Sequence, residues 1–445
     1  MAAPINDFVK AYAHSGTARF HMPGHKGRKF HGLEALDITE IRGADYLFDA
    51  KGIIGDSERQ TAAAFGSART LYSTEGSSLC IKTMMGIVHR CRRSEGRRMT
   101  VAAPRNVHKA FINACILLDI DVVWVYPEKS CRSLCSGGVS AEDIEKAVCG
   151  RDIDCVYITS PDYLGFISDI RAISALCRSM DIPLVCDNAH GAYLAFLEED
   201  LHPLALGADM CCDSAHKTLP CYTGGAYLHI SKDAPAAFSE CSKEMMSLFA
   251  STSPSYLILQ SLDLCSDYLT RSFRQDLRCA AARTALCKKR LSEMGFSIVG
   301  EEPCKITVCA ADTGLTGDKL GDLLREKGVE PEYTDEGYTV LMTSPFNTEE
   351  DFAALERAMS SVPIDSAAAF APDLIPRAER CLPIRQAALS PSEPVPTDLA
   401  AGRICAMTVT CCQPSVPIAV SGERINDDIV KLLKKYGIIS INAVK

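Results

Sequence analysis

Between residues 69 and 229, short β-rich runs alternate with longer segments of helical pattern. This alternation constrains the fold more than any other feature of the chain. The β-rich runs fall at 69–74, 98–103, 121–126, 154–159, 183–187, 209–213 and 224–229, and helical stretches at 77–92, 140–149 and 169–180 fill several of the gaps. Strands separated by helices need crossover connections, which give an α/β fold with a mainly parallel sheet. DCVYIT (154–159) and IPLVCD (182–187) are apolar almost throughout, as strands covered on both faces are.

The rest of the chain divides around this block. Residues 1–60 carry many Gly, His and Asp with little periodicity and read as an irregular N-terminal arm, followed by a large domain over 61–270. A long helical stretch at 255–293 leads into a small α/β domain over 271–362. That domain has strands expected near 304–310, 329–333 and 338–343 and a helix at 316–327. Seven prolines between 363 and 396 mark a linker. A C-terminal domain follows at 397–445, read as a helix, an apolar stretch and a C-terminal helix.

Charge and cysteine content narrow the class. Lys and Arg number 47 against 56 Asp and Glu, a net charge of −9, so no basic surplus points to nucleic acid. The apolar stretches are too short to span a bilayer, and the first residues lack the basic and apolar regions of a secretory signal. The 22 cysteines are therefore expected to be reduced core residues in a cytoplasmic protein. None shows C-x-x-C spacing; the closest non-adjacent pair is Cys131 and Cys135. His21 and His25 are separated by Pro23 and Gly24, which argues against one helical face and a metal site.

The chemistry concentrates at the carboxyl ends of predicted strands. Lys217 follows the strand 209–213 within Ser214-Ala215-His216-Lys217-Thr218, and Asp187 ends the strand 183–187. Open α/β sheets bind ligands at that edge. Gly76-Ser77-Ser78 lies between a strand and a helix, where free N–H groups favour a phosphate. Each feature alone suits a solvated loop or a helix cap. Together, in this order, they match the needs of pyridoxal 5'-phosphate: an amine for its aldehyde, a carboxylate for its ring nitrogen and a phosphate site. The chain has no G-x-G-x-x-G after the first strand and no P-loop motif.

These residues resemble a known family. FHMPGHKGR (20–28), DITEI (37–41), DNAHGAYL (187–194), SAHKTL (214–219), STSPSYLILQSLD (251–263), AAGRICA (400–406) and SGERI (421–425) look like the bacterial ornithine/lysine/arginine decarboxylases. The length is similar to that of the short members, which lack the N-terminal wing domain. The resemblance implies a fold-type-I pyridoxal-phosphate enzyme with large, small and C-terminal cap domains. It also implies a cytoplasmic homodimer with active sites at its interface and a role in polyamine biosynthesis. Lys217 matches the lysine that joins the cofactor, and Asp187 the partner of its ring nitrogen. Ser77 and Ser78 after Gly76, with Ser214 and His216, match phosphate contacts. His108 matches the histidine stacked on the ring, and Ala189 the small residue on its other face.

The implied reaction is α-decarboxylation of a basic amino acid, with Lys217 or His216 returning a proton to Cα. Glu332, Asp335 and Asp45 are candidates to read the substrate's distal cation. The arm is expected to cross a dimer interface, with His25 or Asp45 close to the partner's cofactor. Some positions depart from the family pattern: Asn188 and Tyr193 stand for Glu and His, Asp162 lies in TSPDYLG (159–165), and the sequence is CYTGGAYLH at 221–229 and CCQPSVP at 411–417. An aminotransferase or lyase reaction, or a silent cofactor-binding homologue, therefore stays open.

Overall fold

The computed structural model describes residues 3–92, 96–127, 133–364, 377–411 and 415–445. Cys131, Cys412, Pro372 and Pro376 fall outside these, so the Cys131–Cys135 spacing and the middle of the proposed linker are not described. A seven-stranded sheet forms the centre. Its strands are β1 (Arg69–Ser73), β2 (Thr100–Pro104), β3 (Asp121–Val125), β4 (Cys155–Thr159), β5 (Leu184–Asp187), β6 (Met210–Asp213) and β7 (Ala226–Ile230), in spatial order β1-β7-β6-β5-β4-β2-β3. The run from β6 to β3 is parallel, and only β7 is antiparallel to its neighbours β6 and β1. Every residue of β5 and β6 is buried.

Helices cover both faces. They are α1 (Pro4–His14), α2 (Ile53–Phe65), α3 (Gly76–Arg92), α4 (Lys109–Leu118), α5 (Ala141–Val148), α6 (Ile170–Ser179), the short α7 (Ala215–Thr218), α8 (Ala236–Ser247), α9 (Tyr256–Arg271) and α10 (Phe273–Glu293). The predicted 255–293 helix is two helices, broken at Ser272.

The N-terminal arm is more ordered than its sequence suggests. Residues 4–14 form α1, which buries Ile5 and Val9. Two apolar residues four apart make a thin periodic signal, and an isolated helix of this length is marginal. Packing supplies what propensity does not. Asp263 of α9 accepts the Ile5 and Asn6 N–H groups at 2.9 Å each through Oδ2 and Ser57 Oγ at 2.5 Å through Oδ1, so a carboxylate 257 residues away caps α1. Between α1 and α2 the chain is largely irregular, as expected, and Phe20 and Phe30 are 95% and 82% exposed.

A second, four-stranded antiparallel sheet holds β8 (Ser297–Val299), β9 (Lys305–Cys309), β10 (Tyr333–Thr334) and β11 (Tyr338–Met342), in order β10-β11-β9-β8. Helices α11 (Gly317–Glu326) and α12 (Glu349–Ser360) pack beside it. The expected 329–333 strand forms only from Tyr333, after Pro331, which has no N–H for a ladder.

The C-terminal region departs most from the sequence reading. The linker 363–396 contains α13 (Ile384–Leu389) and β12 (Ser392–Pro396). Chain 397–445 holds β13 (Val409–Thr410), β14 (Pro417–Ala419), α14 (Asp427–Lys435) and a final strand β15 (Ser440–Val444), rather than two helices. β12 pairs only with β15. A strand with one partner leaves half its N–H groups unused, which is why Pro394 and Pro396 are tolerated there.

An ion pair fastens this region to the central sheet. Arg105 just after β2 and Glu423 are 2% and 3% exposed and meet at 2.7 Å. A second guanidinium nitrogen lies 3.3 Å from the other carboxylate oxygen, which also accepts the Val420 N–H. Removing one partner strands a buried charge, at a cost of about 3–5 kcal/mol. Glu423→Ala is expected to lose that much in urea denaturation, whereas Arg105→Met combined with Glu423→Leu loses clearly less. Asp263→Ala, leaving two helix N–H groups uncapped, is expected to cost ~1–3 kcal/mol and to speed proteolysis within residues 3–20.

Candidate active site

The carboxyl ends of β4, β5 and β6 open onto a cavity of about 310 Å³, lined by residues of the central sheet, its loops and Val416 of the C-terminal region. The register explains the convergence. Asp187, last in β5, pairs with Thr159, last in β4, and with Cys212 of β6. Lys217 lies in α7, the short helix that follows β6.

Most of the sequence-predicted residues line this one cavity: Gly76, Ser77, Ser78, His108, Asp187, Ala189, Ser214, His216 and Lys217. Asp187 is buried and accepts the Tyr157 hydroxyl at 3.1 Å and the Ala189 N–H at 3.2 Å. Gly76 begins α3 at φ +68° and donates its N–H to Gly224 O at 2.8 Å. The next N–H groups of a helix start have no partner within the helix. Ser214 Oγ donates to Ser77 Oγ at 2.8 Å, so two hydroxyls from distant segments meet beside that helix start. His216 Nδ1 lies 2.8 Å from Gly225 O. A carbonyl only accepts, so Nδ1 carries the proton and Nε2 is the atom left for exchange. Burial lowers the His216 pKa. His108 caps α4, its Nδ1 accepting the Ala110 N–H at 3.1 Å, so the cap and the cavity wall are one residue.

Lys217 keeps accessible surface because it projects into the cavity, yet the surrounding walls still desolvate its amine and lower its pKa. Its Nζ lies 2.9 Å from His190 Nε2 and 5.8 Å from the centre of the Tyr163 ring. Burial, then the charges of Lys217 and Lys305, hold the His190 pKa well below its ordinary value. The sequence reading quoted His190 inside its motif without giving it a role; its position three residues past Asp187 at the sheet edge was the available signal. Asn106, Thr159, Tyr163 and Thr223 also line the cavity and were not singled out for it.

The three acidic candidates separate. Glu332 accepts the Tyr163 hydroxyl at 2.8 Å and is otherwise exposed beside the site. Asp335 accepts the Gly337 and Tyr338 N–H groups at 2.8 and 2.7 Å and the Tyr333 hydroxyl, the pattern of a turn residue. Asp45 accepts five backbone N–H groups, of Tyr46, Lys51, Gly52, Ile54 and Gly55, and so fastens the start of α2. None of the three lines the cavity of this chain; Glu332 reaches it only through Tyr163, which does. His25 pairs with Asp37 at 3.2 Å, within its own arm.

Three of the departures from the family pattern, Asn188, Tyr193 and Asp162, sit behind the cavity wall, whereas Thr223 and Gly224 of the 221–229 stretch and Val416 of the 411–417 stretch line it. Asn188 Nδ2 donates to Asp213 at 2.6 Å. Tyr193 donates to Glu302 at 3.1 Å and accepts the Cys304 N–H at 3.1 Å, reaching the second sheet. Asp162 accepts the Leu164 and Phe166 N–H groups through Oδ1, while its buried Oδ2 has no partner. Cys412, Gln413 and Pro414 of the 411–417 stretch are outside the described residues.

The donor set suits pyridoxal phosphate. The cavity offers a buried carboxylate, an amine and a helix start with hydroxyls. Its wall also carries two buried polar atoms without a partner, Asn106 Oδ1 and Thr159 Oγ1. Gly224, at φ +98°, packs so tightly that a Cβ would lie 3.0 Å from Thr74 O, which keeps the rim of the serine turn free of side chain.

The sheet order and the lysine beyond β6 belong to the fold-type-I class. The chain superposes on a lysine decarboxylase of Francisella novicida with a TM-score of 0.81 at 17% identity, over 100% of this chain and 81% of that one. A cysteine desulfurase of Thermococcus onnurineus gives 0.55 at 14% identity, over 80% and 90%. The family "Orn/Lys/Arg decarboxylase, major domain" matches residues 3–299, and the chain belongs to that family and is an enzyme of its decarboxylase type. Arginine decarboxylases of Bacillus subtilis and Bacillus cereus are 28% and 29% identical, over 97% and 94% of this chain and 93% and 96% of theirs. Enzymes of this family and fold are generally dependent on pyridoxal phosphate.

Burial raises the Asp162 pKa from 3.8 to about 7, although the Phe166 and Leu164 N–H groups and Lys305 oppose it. The folded protein therefore binds this proton more tightly than the unfolded chain does. Its contribution to stability is full below about pH 4 and is lost as pH rises through about 7. At about 1.4 kcal/mol per unit, this amounts to a few kcal/mol. Asp162→Asn is expected to flatten the fall in unfolding free energy between pH 4.5 and 7.5 (about the window set by these pKa values), measured by chemical denaturation. An unchanged slope would show that Asp162 ionises freely in the fold.

Proposed function

We propose that the chain removes the α-carboxyl group of a basic amino acid, arginine, lysine or ornithine, with pyridoxal 5'-phosphate as cofactor, releasing the amine and CO₂. The observation that carries this reading is that Lys217, Asp187 and the Ser77–Ser214 turn face one cavity whose described wall contains no arginine. An aminotransferase needs an arginine to grip the substrate's α-carboxylate. A carboxylate left without a cationic partner can instead be turned out of the cofactor plane and expelled.

The cofactor, when bound, supplies an electron sink for the breaking carbon–carbon bond. The protein's part follows from its side chains. Asp187 would accept a hydrogen bond from the protonated ring nitrogen and so hold the positive charge there. The first N–H groups of α3, with Ser77, Ser78, Ser214 and His216, would hold the phosphate. His108 and Ala189 would pack against the ring. Lys217 would hold the aldehyde through its amine and, once released by the substrate amine, would stand as the proton donor to Cα, a role His216 could share only with Nε2 protonated. Glu332, oriented by Tyr163, pairs with the substrate's distal cation, while Asp335 and Asp45 serve the fold.

We also propose a cytoplasmic homodimer. Exposed Phe20, Met22, Phe30 and Leu33 on the arm support an interface there. Of the 20 described cysteines 15 are buried, as small core residues are, which supports a reducing compartment. No helix among the described residues is long and apolar enough to cross a membrane.

The test is incubation with pyridoxal phosphate and arginine, lysine or ornithine separately, measuring CO₂ and amine. At least one is expected to give both in equal amounts; keto acid without CO₂ would move the assignment to an aminotransferase. Borohydride reduction is expected to fix the cofactor to the Lys217 peptide. Norleucine, which lacks the distal charge, is expected to lose on the order of 10² in kcat/KM. Glu332→Gln is expected to lose about tenfold or more with the cationic substrate and little with norleucine, tenfold being ~1.4 kcal/mol.

A further inference from the structure

His190 stands between two lysines. Its Nε2 lies 2.9 Å from Lys217 Nζ, and its Nδ1 lies 3.5 Å from Lys305 Nζ. Lys305 is not a cavity residue. It comes from β9 of the second sheet, is 1% exposed, and reaches His190 from behind the wall. Its Nζ is 2.6 Å from Glu302 Oε2 and 3.4 Å from the Asp162 carbonyl oxygen. The passage is built for it. A Cβ on Gly165 would lie 3.1 Å from Lys305 Cδ, and Gly165 O accepts the N–H groups of Glu301 and Glu302 at 2.9 and 3.0 Å.

An ammonium group has three N–H donors and no acceptor. Lys305 has three acceptor positions around it: the Glu302 carboxylate, the Asp162 carbonyl and His190 Nδ1. A neutral imidazole has one donor and one acceptor nitrogen. If Nδ1 accepts from Lys305, the proton must sit on Nε2. That N–H points at Lys217 Nζ, which can receive it only through a lone pair, as the free amine. The opposite tautomer sets two donors face to face in a buried site, where an unmatched donor is most costly.

We propose that Lys305 is a positioning residue: it fixes His190 as the Nε2–H tautomer and so presents Lys217 as the free amine, the form that attacks an aldehyde. The inference rests on Lys217 being the lysine that joins the cofactor. The surrounding charges agree with it. His190 is faced by Lys217, Lys305, His108 and His216, and by the edge-on ring of Tyr163 at 4.8 Å. Burial lowers the Lys217 pKa and Lys305 lowers it further, while Asp187, Glu332 and Cys212 act the other way. The first product of this arrangement is readiness: Lys217 needs no outside base before it reacts.

The test uses the full-length chain freed of cofactor. Trace acetylation across about pH 6–10, read peptide by peptide by mass spectrometry, gives the pH at which each lysine becomes reactive. Lys217 is expected to have its midpoint about one pH unit or more below exposed Lys10. Lys305→Met with Glu302→Gln, which removes the buried pair together, is expected to raise the Lys217 midpoint by about one unit or more. An unchanged midpoint in a folded double variant overturns the proposal. If that variant does not fold, the wild-type protein still decides. In its ¹⁵N-imidazole spectrum the signal lost in His190→Gln is expected to be protonated at Nε2, and a proton on Nδ1 overturns the proposal. Neither measurement depends on turnover, so a failed decarboxylation assay leaves this result standing and the reverse also holds.

Discussion

Arg105 and Glu423 lie inside the protein, paired to each other and 318 residues apart. Charge in a protein interior has to be matched, because an unmatched partner costs far more than the pair contributes. This constraint ties the C-terminal region to the loop after β2. Asn106 and His108 follow Arg105 in that loop and line the cavity, so the pair sets where they stand. The Lys109 N–H also meets Ser415 O at 3.1 Å, a second tie from the start of α4 to the C-terminal region. The SGERI sequence thus reaches the site through structure rather than by touching ligand.

The same logic joins the second sheet to the cavity from the other side. Lys305 and Glu302 are both fully buried, and their neighbours are the backbone of Asp162, the hydroxyl of Tyr193 and the ring of His190. Two of the positions that differ from the family pattern, Asp162 and Tyr193, belong to this network. Their chemistry is that of supports: one caps a turn with its carboxylate, the other bridges Glu302 and the Cys304 N–H. A third, Asn188, ties the loop after β5 to Asp213. Burial opposes ionisation of Asp213, but the His202 and His229 imidazoles beside it hold its carboxyl below the usual range. Changes at such positions alter how the wall is braced while leaving the cavity's donor set in place.

Much of the central sheet could be read from the sequence because burial on both faces leaves a local trace. LVCD and MCCD are short apolar runs ending in acid, and each is a strand whose last residue reaches the carboxyl edge. Lys217, Asp187 and the Gly76–Ser78 turn were visible for the same reason: each directly follows or ends such a run. The misses have the opposite character. Helix α1 has two core residues and depends on a cap from Asp263. β12 contains two prolines and exists because β15 lies on its one bonded side. β15, with Ile441 and Ala443 buried and the residues between exposed, is too short a strand to stand apart from the helix before it.

The sequence by itself determined the elements and the chemical inventory: a parallel sheet, an amine and a carboxylate at its edge, and a serine turn at a helix start. These depend on the period of burial and on residues next to one another in the chain. Tertiary structure decided which groups serve the cavity and which serve the fold. It assigned Asp45 to the start of α2, Asp335 to a turn and Glu332 to Tyr163, although all three look alike as acids in sequence. It also set His190 against Lys305, 115 residues away. The physical reason is that a hydrogen bond or an ion pair depends on distances of about 3 Å, and those are fixed only when separate elements pack.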